Sequence, residues 1–234
     1  MRALQLEGLT AGYGRTIAVR GVDLVVPAGK TVVLLGANGA GKSTLLKAAA
    51  GLLRPVHGAV WLHGERVDHL PEHARVDRGL CLLPDVSQGI FRQLTVRENI
   101  AMFCNGRRVG EGVEKAASAF PVLGERLAQE AGSLSGGQQQ MLSVSRAFVG
   151  DASVILADEL SLGLAPVAVD QIFEAVHRFR AEGRSLLIVE QYVGRALAIA
   201  DYVYILHKGK VAFVGEPEQC EDHHIFEQYI GSVA

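Results

Sequence analysis

The most informative part of the chain reads Gly36-Ala37-Asn38-Gly39-Ala40-Gly41-Lys42-Ser43-Thr44. It follows Val32-Val33-Leu34-Leu35, an apolar run that predicts a strand buried on both faces of a parallel sheet. After it, apolar residues recur at helical spacing, at Leu45, Ala48, Ala49 and Leu52. A glycine-rich stretch between a strand and a helix, matching G-x-x-x-x-G-K-[ST], predicts a phosphate-binding loop.

The chemistry of this loop requires these residue types. Glycines let the backbone curl so that several N–H groups point inward and form an anion-binding nest at the start of a helix. Lys42 adds a compact positive charge for the β- and γ-phosphates, and the Ser43 hydroxyl is a candidate Mg²⁺ ligand. The predicted binding residues are Gly36, Asn38, Gly39, Ala40, Gly41, Lys42, Ser43 and Thr44. The alternative is a chance glycine turn with a surface lysine.

A second apolar run delivers two carboxylates to the edge of the predicted sheet. Val154-Ile155-Leu156-Ala157 is followed by Asp158 and Glu159, at the strand end where ligands bind in open α/β folds. We expect Asp158 to hold Mg²⁺ through water and Glu159 to orient or deprotonate the attacking water. Neighbouring residues on a strand point to opposite sides, which suits two separate roles. The alternative is a solvated acidic strand end.

A third motif is Leu134-Ser135-Gly136-Gly137-Gln138-Gln139, which precedes an amphipathic run. A Ser-Gly-Gly helix start predicts a second anion-binding nest, formed by Ser135, Gly136, Gly137 and Gln138. Taken alone, a Ser-Gly-Gly stretch is a flexible loop in most proteins. Its position between the phosphate loop and the acidic strand favours the functional interpretation.

The remaining patterns predict an α/β fold with a parallel core. Leu186-Leu187-Ile188-Val189, ending at Glu190, predicts a third buried strand, and Pro166 marks a helix start. Alternation from Leu4 to Leu9 predicts an N-terminal antiparallel β layer, and residues 204–213 a hairpin. Thr95-Val96-Arg97-Glu98 fits a capping box. We expect a single domain over 1–234, with core residues 1–87 and 151–234 and an inserted helical subdomain over 88–150.

Composition excludes several classes of protein. The chain has 234 residues with 23 Lys+Arg and 25 Asp+Glu, a formal charge of −2, so no basic field predicts nucleic-acid binding. Cys81, Cys104 and Cys220 form no close pair, which predicts free thiols in a reducing compartment. No signal peptide is visible at Met1, and no apolar run reaches the roughly 18 residues of a membrane span. We expect a partner to hold the protein at any membrane where it works.

The order of the three motifs resembles that of the ATP-binding cassette (ABC) ATPases. The resemblance spans essentially the whole chain and implies Mg²⁺-dependent ATP hydrolysis, with a phosphate-loop NTPase cassette fold and two cassettes paired head to tail. The stretch Leu134–Gln138 corresponds to the signature motif of this family. Each ATP would then lie between the phosphate loop of one cassette and the signature motif of the other. It implies that Ser135 and Gly137 contact the γ-phosphate bound by the partner, and that Tyr13 stacks on adenine.

At a finer level the chain is similar to the ATPase subunits of branched-chain amino acid importers. The stretches that carry this similarity are Ser161–Pro166, Leu94–Asn99 and Val189–Gln191. It implies a cytoplasmic subunit on the inner face of the cell membrane and a second ATPase subunit that is identical or homologous. It also implies permease subunits that dock near Asp85–Val96 and the helical subdomain, and indirectly an external substrate-binding protein. The alternatives are a urea-type importer, a lipopolysaccharide-type exporter, a soluble ABC ATPase and a nucleotide-gated module with little turnover.

Three positions depart from the family pattern. Gln191 stands where a histidine usually contacts the γ-phosphate; it can donate a hydrogen bond but cannot carry a proton. Asp85 replaces the metal-sensing glutamine after Leu83-Pro84, with Gln88 as the alternative sensor. Leu160 replaces the usual proline after Glu159. We expect these changes to slow hydrolysis without removing the groups it needs.

Overall fold

The structure is a computed structural model and describes residues 1–84, 89–104, 106, 108–190 and 192–220. The residues outside these ranges include Gln191 and the two candidate metal sensors, Asp85 and Gln88. The predicted solvated tail at Glu221–His224 also lies outside them. Their roles stay predictions.

An antiparallel sheet covers one side of the molecule. Its strands, in the order β2-β1-β4-β5, are β1 (Arg2–Tyr13), β2 (Thr16–Pro27), β4 (His57–Leu62) and β5 (Glu65–Arg66). Strands β1 and β2 pair along most of their length, from Arg2 opposite Pro27 to Tyr13 opposite Thr16. The predicted N-terminal antiparallel layer is therefore confirmed.

The second sheet has six strands in the order β10-β9-β3-β8-β7-β6. They are β3 (Thr31–Leu35), β6 (Leu80–Leu83), β7 (Val154–Asp158), β8 (Ser185–Val189), β9 (Tyr202–His207) and β10 (Lys210–Gly215). All neighbours run parallel except β9 and β10, which form the predicted antiparallel hairpin. The three apolar runs are adjacent strands β3, β8 and β7, so their carboxyl ends share one edge.

Helices connect and cover these strands. They are α1 (Lys42–Ala50), α2 (Glu72–Val76), α3 (Val96–Phe103), α4 (Val109–Ala119), α5 (Pro121–Gly124), α6 (Gly136–Val149), α7 (Pro166–Ala181), α8 (Val193–Ile199) and α9 (Pro217–Cys220), with a 3-10 turn at Ala131–Ser133. The capping box at Thr95 is confirmed, because its hydroxyl accepts from Glu98 N and its own N–H donates to the Glu98 carboxylate. Pro166 is the first residue of α7, as predicted.

The prediction that Leu52 lies on the apolar face of α1 is wrong. The helix ends at Ala50, Gly51 takes the left-handed φ of 90°, and Leu52 is 51% exposed. The buried guanidinium of Arg75 occupies the end of the helix and donates to the carbonyl oxygens of Ala48 and Ala49 at 3.0 and 2.7 Å. It satisfies acceptors that a continued helix would otherwise have used.

The six-stranded sheet separates two apolar cores. Along β3, Val33 and Leu35 pack with the helices from α3 to α8, whereas Val32 and Leu34 pack with α1 and the antiparallel sheet. This alternation follows from the two-residue period of a strand. Both faces of the central strands are therefore covered. A binding site can then form only in the loops at the ends of these strands.

Helices α3 to α6 lie between β6 and β7 in the chain, although these two strands are neighbours in the sheet. This arrangement agrees with the predicted α/β fold with an inserted helical part. The exact limits of 88 and 150 stay a prediction. Within the described ranges, no helix is long and apolar enough to cross a membrane.

Candidate nucleotide site

The phosphate loop connects β3 to α1 and is held in place by its neighbours. Gly36 has φ 151° and Gly41 has φ 104°, both in the region that favours glycine. A Cβ atom on Gly36 would collide with the carbonyl oxygen of Leu206, and one on Gly41 would lie 2.7 Å from Val19 Cγ1. Sterics therefore require glycine at both positions, because β2 and β9 approach the loop closely.

Lys42 lies under this loop rather than at the surface. Its side chain is only 5% exposed, and Nζ donates to the carbonyl oxygens of Gly36 at 2.7 Å and Ala37 at 3.2 Å. Burial lowers the pKa of Lys42, and the negative charges of Glu159 and Asp158 oppose this shift. The ammonium therefore lies between a loop that curls around it and two carboxylates, which is where a nucleotide phosphate would bring additional negative charge.

Ser43 and Asp158 bring the loop and the acidic strand together. The Ser43 hydroxyl donates to Asp158 Oδ1 at 3.1 Å, joining the first turn of α1 to the end of β7. A hydroxyl beside a carboxylate offers the oxygen ligands that Mg²⁺ prefers. Among the described residues no group of three His, Cys, Asp or Glu side chains is placed to hold a metal. The donor set therefore fits an ion that also takes ligands from water and phosphate.

Glu159 does not lie on the strand, so the expectation that a strand alternation separates it from Asp158 is wrong. Strand β7 ends at Asp158, and Glu159 has φ 52°, a left-handed conformation unusual for a residue with a side chain. Its N–H donates to the carbonyl oxygen of Val189 at 2.9 Å. A backbone turn at the strand end therefore sets the direction of the Glu159 side chain.

The end of the β1–β2 hairpin lies beside the phosphate loop. Tyr13, the last residue of β1, is 54% exposed, and the adjoining β2 residues Ala18 and Val19 reach Gly41. Within the loop Asn38 and Gly39 are exposed, whereas Ala40 and Thr44 are buried. The Tyr13 ring is thus available to a base, as predicted from the resemblance, and its stacking stays a prediction.

The signature motif starts α6 and is exposed at its tip. Ser135 and Gln138 form a reciprocal capping box, and Ser135 and Gly136 are exposed to solvent. Gly137 packs tightly on Ala168 in α7, and Gly136 lies near Leu164. The predicted helix start is confirmed. Within the chain this motif contacts α7 and its preceding loop, and the N–H groups of Ser135 and Gln138 are bonded to each other's side chains in the capping box.

One polar pair at this edge was not identified from the sequence. Glu190, interpreted there only as the end of a strand, is 4% exposed and accepts hydrogen bonds from Ser161, which is fully buried. The sequence signal that could have identified Glu190 was its position directly after an apolar strand. Its partner lies 29 residues away and could be assigned only once β7 and β8 were known to be neighbours.

Comparisons with known proteins identify the family. The ABC transporter family model matches residues 19–161, which is more than half of the chain. The branched-chain amino acid transport ATP-binding protein BraG of Pseudomonas aeruginosa is 38% identical over 89% of this chain and 90% of its own. The probable LivF protein of Archaeoglobus fulgidus is 37% identical over 96% and 97%. The lipopolysaccharide export protein LptB of Acidithiobacillus ferridurans is 34% identical over 97% and 96%.

A solved structure with the same architecture is a nucleotide-free ATP-binding cassette from an ABC transporter. It has a TM-score of 0.84 and 26% identity, and the alignment covers 99% of this chain and 100% of that one. The fold, the loop around Lys42 and the family match all agree. The chain therefore belongs to the ABC transporter family, as an ATP-hydrolysing, ATP-binding subunit of a transporter.

Proposed function

We propose that this subunit powers an importer of branched-chain amino acids. The observation that carries the proposal is the similarity to BraG and LivF, at 38% and 37% identity along nearly the whole chain. The stretch Ser161-Leu162-Gly163-Leu164-Ala165-Pro166 after the acidic pair supports the same subfamily. In this proposal the permease and an external binding protein select the substrate, and this chain supplies the energy.

The proposed chemistry assigns a role to each group at the sheet edge. The loop amides and the Lys42 ammonium bind the β- and γ-phosphates and stabilise the charge of the transferring phosphoryl group. Glu159 orients the attacking water and accepts its proton. Ser43 and Asp158 would hold Mg²⁺, which when bound to ATP neutralises phosphate charge. Tyr13 stacks on the adenine ring.

A second cassette completes each ATP site in this proposal. Ser135 and Gly137 contact the γ-phosphate held by the other subunit, with the neighbouring Gly136 and Gln138 shaping the nest. The exposure of Ser135 and Gly136 in a single chain is consistent with that use. ATP closes the pair because it contacts both subunits, and hydrolysis removes that additional binding. The partner is either a second copy or a homologous subunit, and Gln191 would add a neutral contact to the γ-phosphate.

We propose that the permease docks beside α3. We also propose that the subunit lies on the cytoplasmic face of the membrane. A cavity of about 280 Å³ lies there, between α2 and α3, and it is lined by Glu72, His73, Val76, Phe91, Met102, Phe103 and Arg146. Phe91 and Met102 are exposed apolar side chains in this surface. Such a patch suits the apolar face of a partner helix.

Uptake by source cells carrying Lys42→Ala tests the proposal. We expect loss of labelled leucine, isoleucine and valine uptake, with urea uptake unchanged. Lys115→Ala is the matched control, because Lys115 forms an ion pair with Asp151 at 2.6 Å on the surface and its loss should leave uptake intact. Selective loss of urea uptake would replace the substrate and keep the importer.

An exporter of lipopolysaccharide is the second candidate, because LptB is 34% identical over 97% of the chain. It predicts a different outcome of the same experiment. Lys42→Ala would leave the uptake of all three amino acids unchanged and reduce lipopolysaccharide at the cell surface. That pair of results would overturn the importer proposal.

A further inference from the structure

The turn after β7 is fastened to the end of β8 by three hydrogen bonds. Glu159 N–H donates to the carbonyl oxygen of Val189 at 2.9 Å. Ser161 N–H donates to Glu190 Oε1 at 3.2 Å, and the Ser161 hydroxyl donates to Glu190 Oε2 at 2.5 Å. Both carboxylate oxygens of Glu190 therefore hold one residue of the turn that begins at Glu159.

This turn includes a conformation that needs external support. Glu159 has φ 52°, and left-handed backbone costs a residue with a side chain about 1–2 kcal/mol. Leu162 N–H donates to the carbonyl oxygen of Glu159, and Leu164 N–H to that of Ser161, both at 3.3 Å, which closes two consecutive turns. Strained backbone persists where surrounding contacts enforce it, and the bonds to Glu190 supply such enforcement from a neighbouring strand.

Packing alone does not explain a carboxyl group at position 190. Glu190 is 4% exposed, and a buried carboxyl group is unfavourable unless its oxygens accept hydrogen bonds. An apolar side chain would fill the same volume without this cost. The carboxyl group fixes the orientation of Ser161, because its two oxygens accept from the N–H and from the hydroxyl of that residue.

We propose that Glu190 is a positioning residue for ATP hydrolysis. Acting through Ser161, it holds the turn in which Glu159 keeps its left-handed backbone and presents its carboxylate to the attacking water. The inference goes beyond the proposed transport role, and it rests on the proposed role of Glu159 in preparing water. Glu190 itself contacts neither ATP nor water in this account.

The test uses the full-length chain and steady-state phosphate release, with ATP affinity measured separately. Glu190→Ala and Ser161→Ala should each lower kcat at least 10-fold while KM and the Kd for ATP stay within twofold. The double variant should be no slower than Glu190→Ala, because both changes break the same contact. Glu190→Gln should stay within threefold of the unmodified protein, since its amide oxygen still accepts from Ser161 N–H and its amide nitrogen donates to the hydroxyl.

Ser185→Ala is the matched control. Ser185 is also buried and lies at the opposite end of β8, where its hydroxyl accepts from Gly29 N–H at 2.9 Å. Its loss should lower the melting temperature about as much as Ser161→Ala does and leave kcat unchanged. If Glu190→Ala fails to fold, Ser161→Ala still decides the question, because it removes a single oxygen atom.

Three results would overturn the proposal. One is an unchanged kcat in Ser161→Ala, and another is a double variant whose losses multiply. The third is a loss of kcat in Ser185→Ala equal to that in Ser161→Ala, since a general loss of stability would then account for both. Glu159→Gln is measured in parallel: its inactivity beside a fully active Ser161→Ala would reject the role of Glu190 and leave that of Glu159 standing.

Discussion

A Cβ atom on Gly137 would lie 2.6 Å from the Cβ of Ala168. The start of α6 and the first turn of α7 therefore approach so closely that only glycine fits at position 137 without a shift of the backbone. The glycine of the signature motif therefore has a packing role in addition to its proposed contact with ATP. The Cβ atom of Ala168 is bonded directly to the backbone, so rotation of a side chain cannot relieve the collision.

Gly137→Ala should lower the free energy of unfolding by about 1–3 kcal/mol, the usual cost of overpacking. Ala168→Gly in the same chain should restore most of that loss, because it removes the opposing Cβ. Gly110→Ala is the control, since a Cβ added to Gly110 in α4 would come within 4 Å of no described residue outside the surrounding turn of its own helix. Urea denaturation of the four proteins checks this, and a double variant as unstable as Gly137→Ala would contradict it.

Arg75 should be among the most important polar residues for stability. It is 1% exposed, and its guanidinium donates to the carbonyl oxygens of Ala48, Ala49, Asp68 and Leu70. Arg75→Met removes every one of these bonds and leaves the Ala48 carbonyl oxygen only its bond of 3.3 Å from Gly51 N–H. We expect a loss of about 3–5 kcal/mol, because each unsatisfied buried acceptor costs about 1–3 kcal/mol.

The control for Arg75 is Arg78→Met. Arg78 forms a surface ion pair with Glu65 at 3.0 Å, and exposed pairs contribute little to stability. Thermal unfolding should show a large drop for Arg75→Met and little change for Arg78→Met. Equal shifts in the two variants would mean that the buried position of Arg75 has no special importance.

The buried thiol of Cys81 should make stability depend on pH in the alkaline range. Burial raises its pKa from 9.0 to about 11, so the folded protein keeps the proton after the unfolded chain has lost it. The stabilisation is complete below pH 9 and is lost as the pH rises from 9 to about 11. Two pKa units correspond to about 3 kcal/mol.

Denaturation of the unmodified protein and of Cys81→Ala between pH 8 and 11 measures this effect. The difference between their free energies of unfolding should shrink as the pH rises, by up to about 3 kcal/mol. Subtracting the variant removes the contribution of Cys220, whose pKa burial also raises to about 11. A difference that stays constant with pH would show that Cys81 titrates alike in both states.

The phosphate loop was predictable because its signals are local. A buried strand, a glycine-rich turn and a helix start lie within 20 residues, and the structure has them as β3, the loop and α1. The end of α1 was not predictable, because the carbonyl oxygens of Ala48 and Ala49 accept from Arg75, which lies 27 and 26 residues away in the sequence. A helical pattern at Leu52 carries no information about a distant guanidinium.

The acidic edge was predictable only in part. The sequence placed Asp158 at a strand end, and the bond from Ser43 Oγ at 3.1 Å agrees with a shared site. The left-handed turn at Glu159 and the Ser161–Glu190 pair depend on β7 lying beside β8, which is a property of sheet order. Side-chain patterns in a single strand do not contain that order.

Single-turnover phosphate release by Glu159→Gln tests directly whether Glu159 prepares the water that cleaves ATP at this site. We expect the rate to fall at least 100-fold relative to the unmodified protein, which is the scale of general-base catalysis, with ATP still bound. ATP-dependent pairing of two chains should then persist, because the nucleotide that joins them is not consumed. Phosphate release at an unchanged rate would show that Glu159 does not prepare the attacking water.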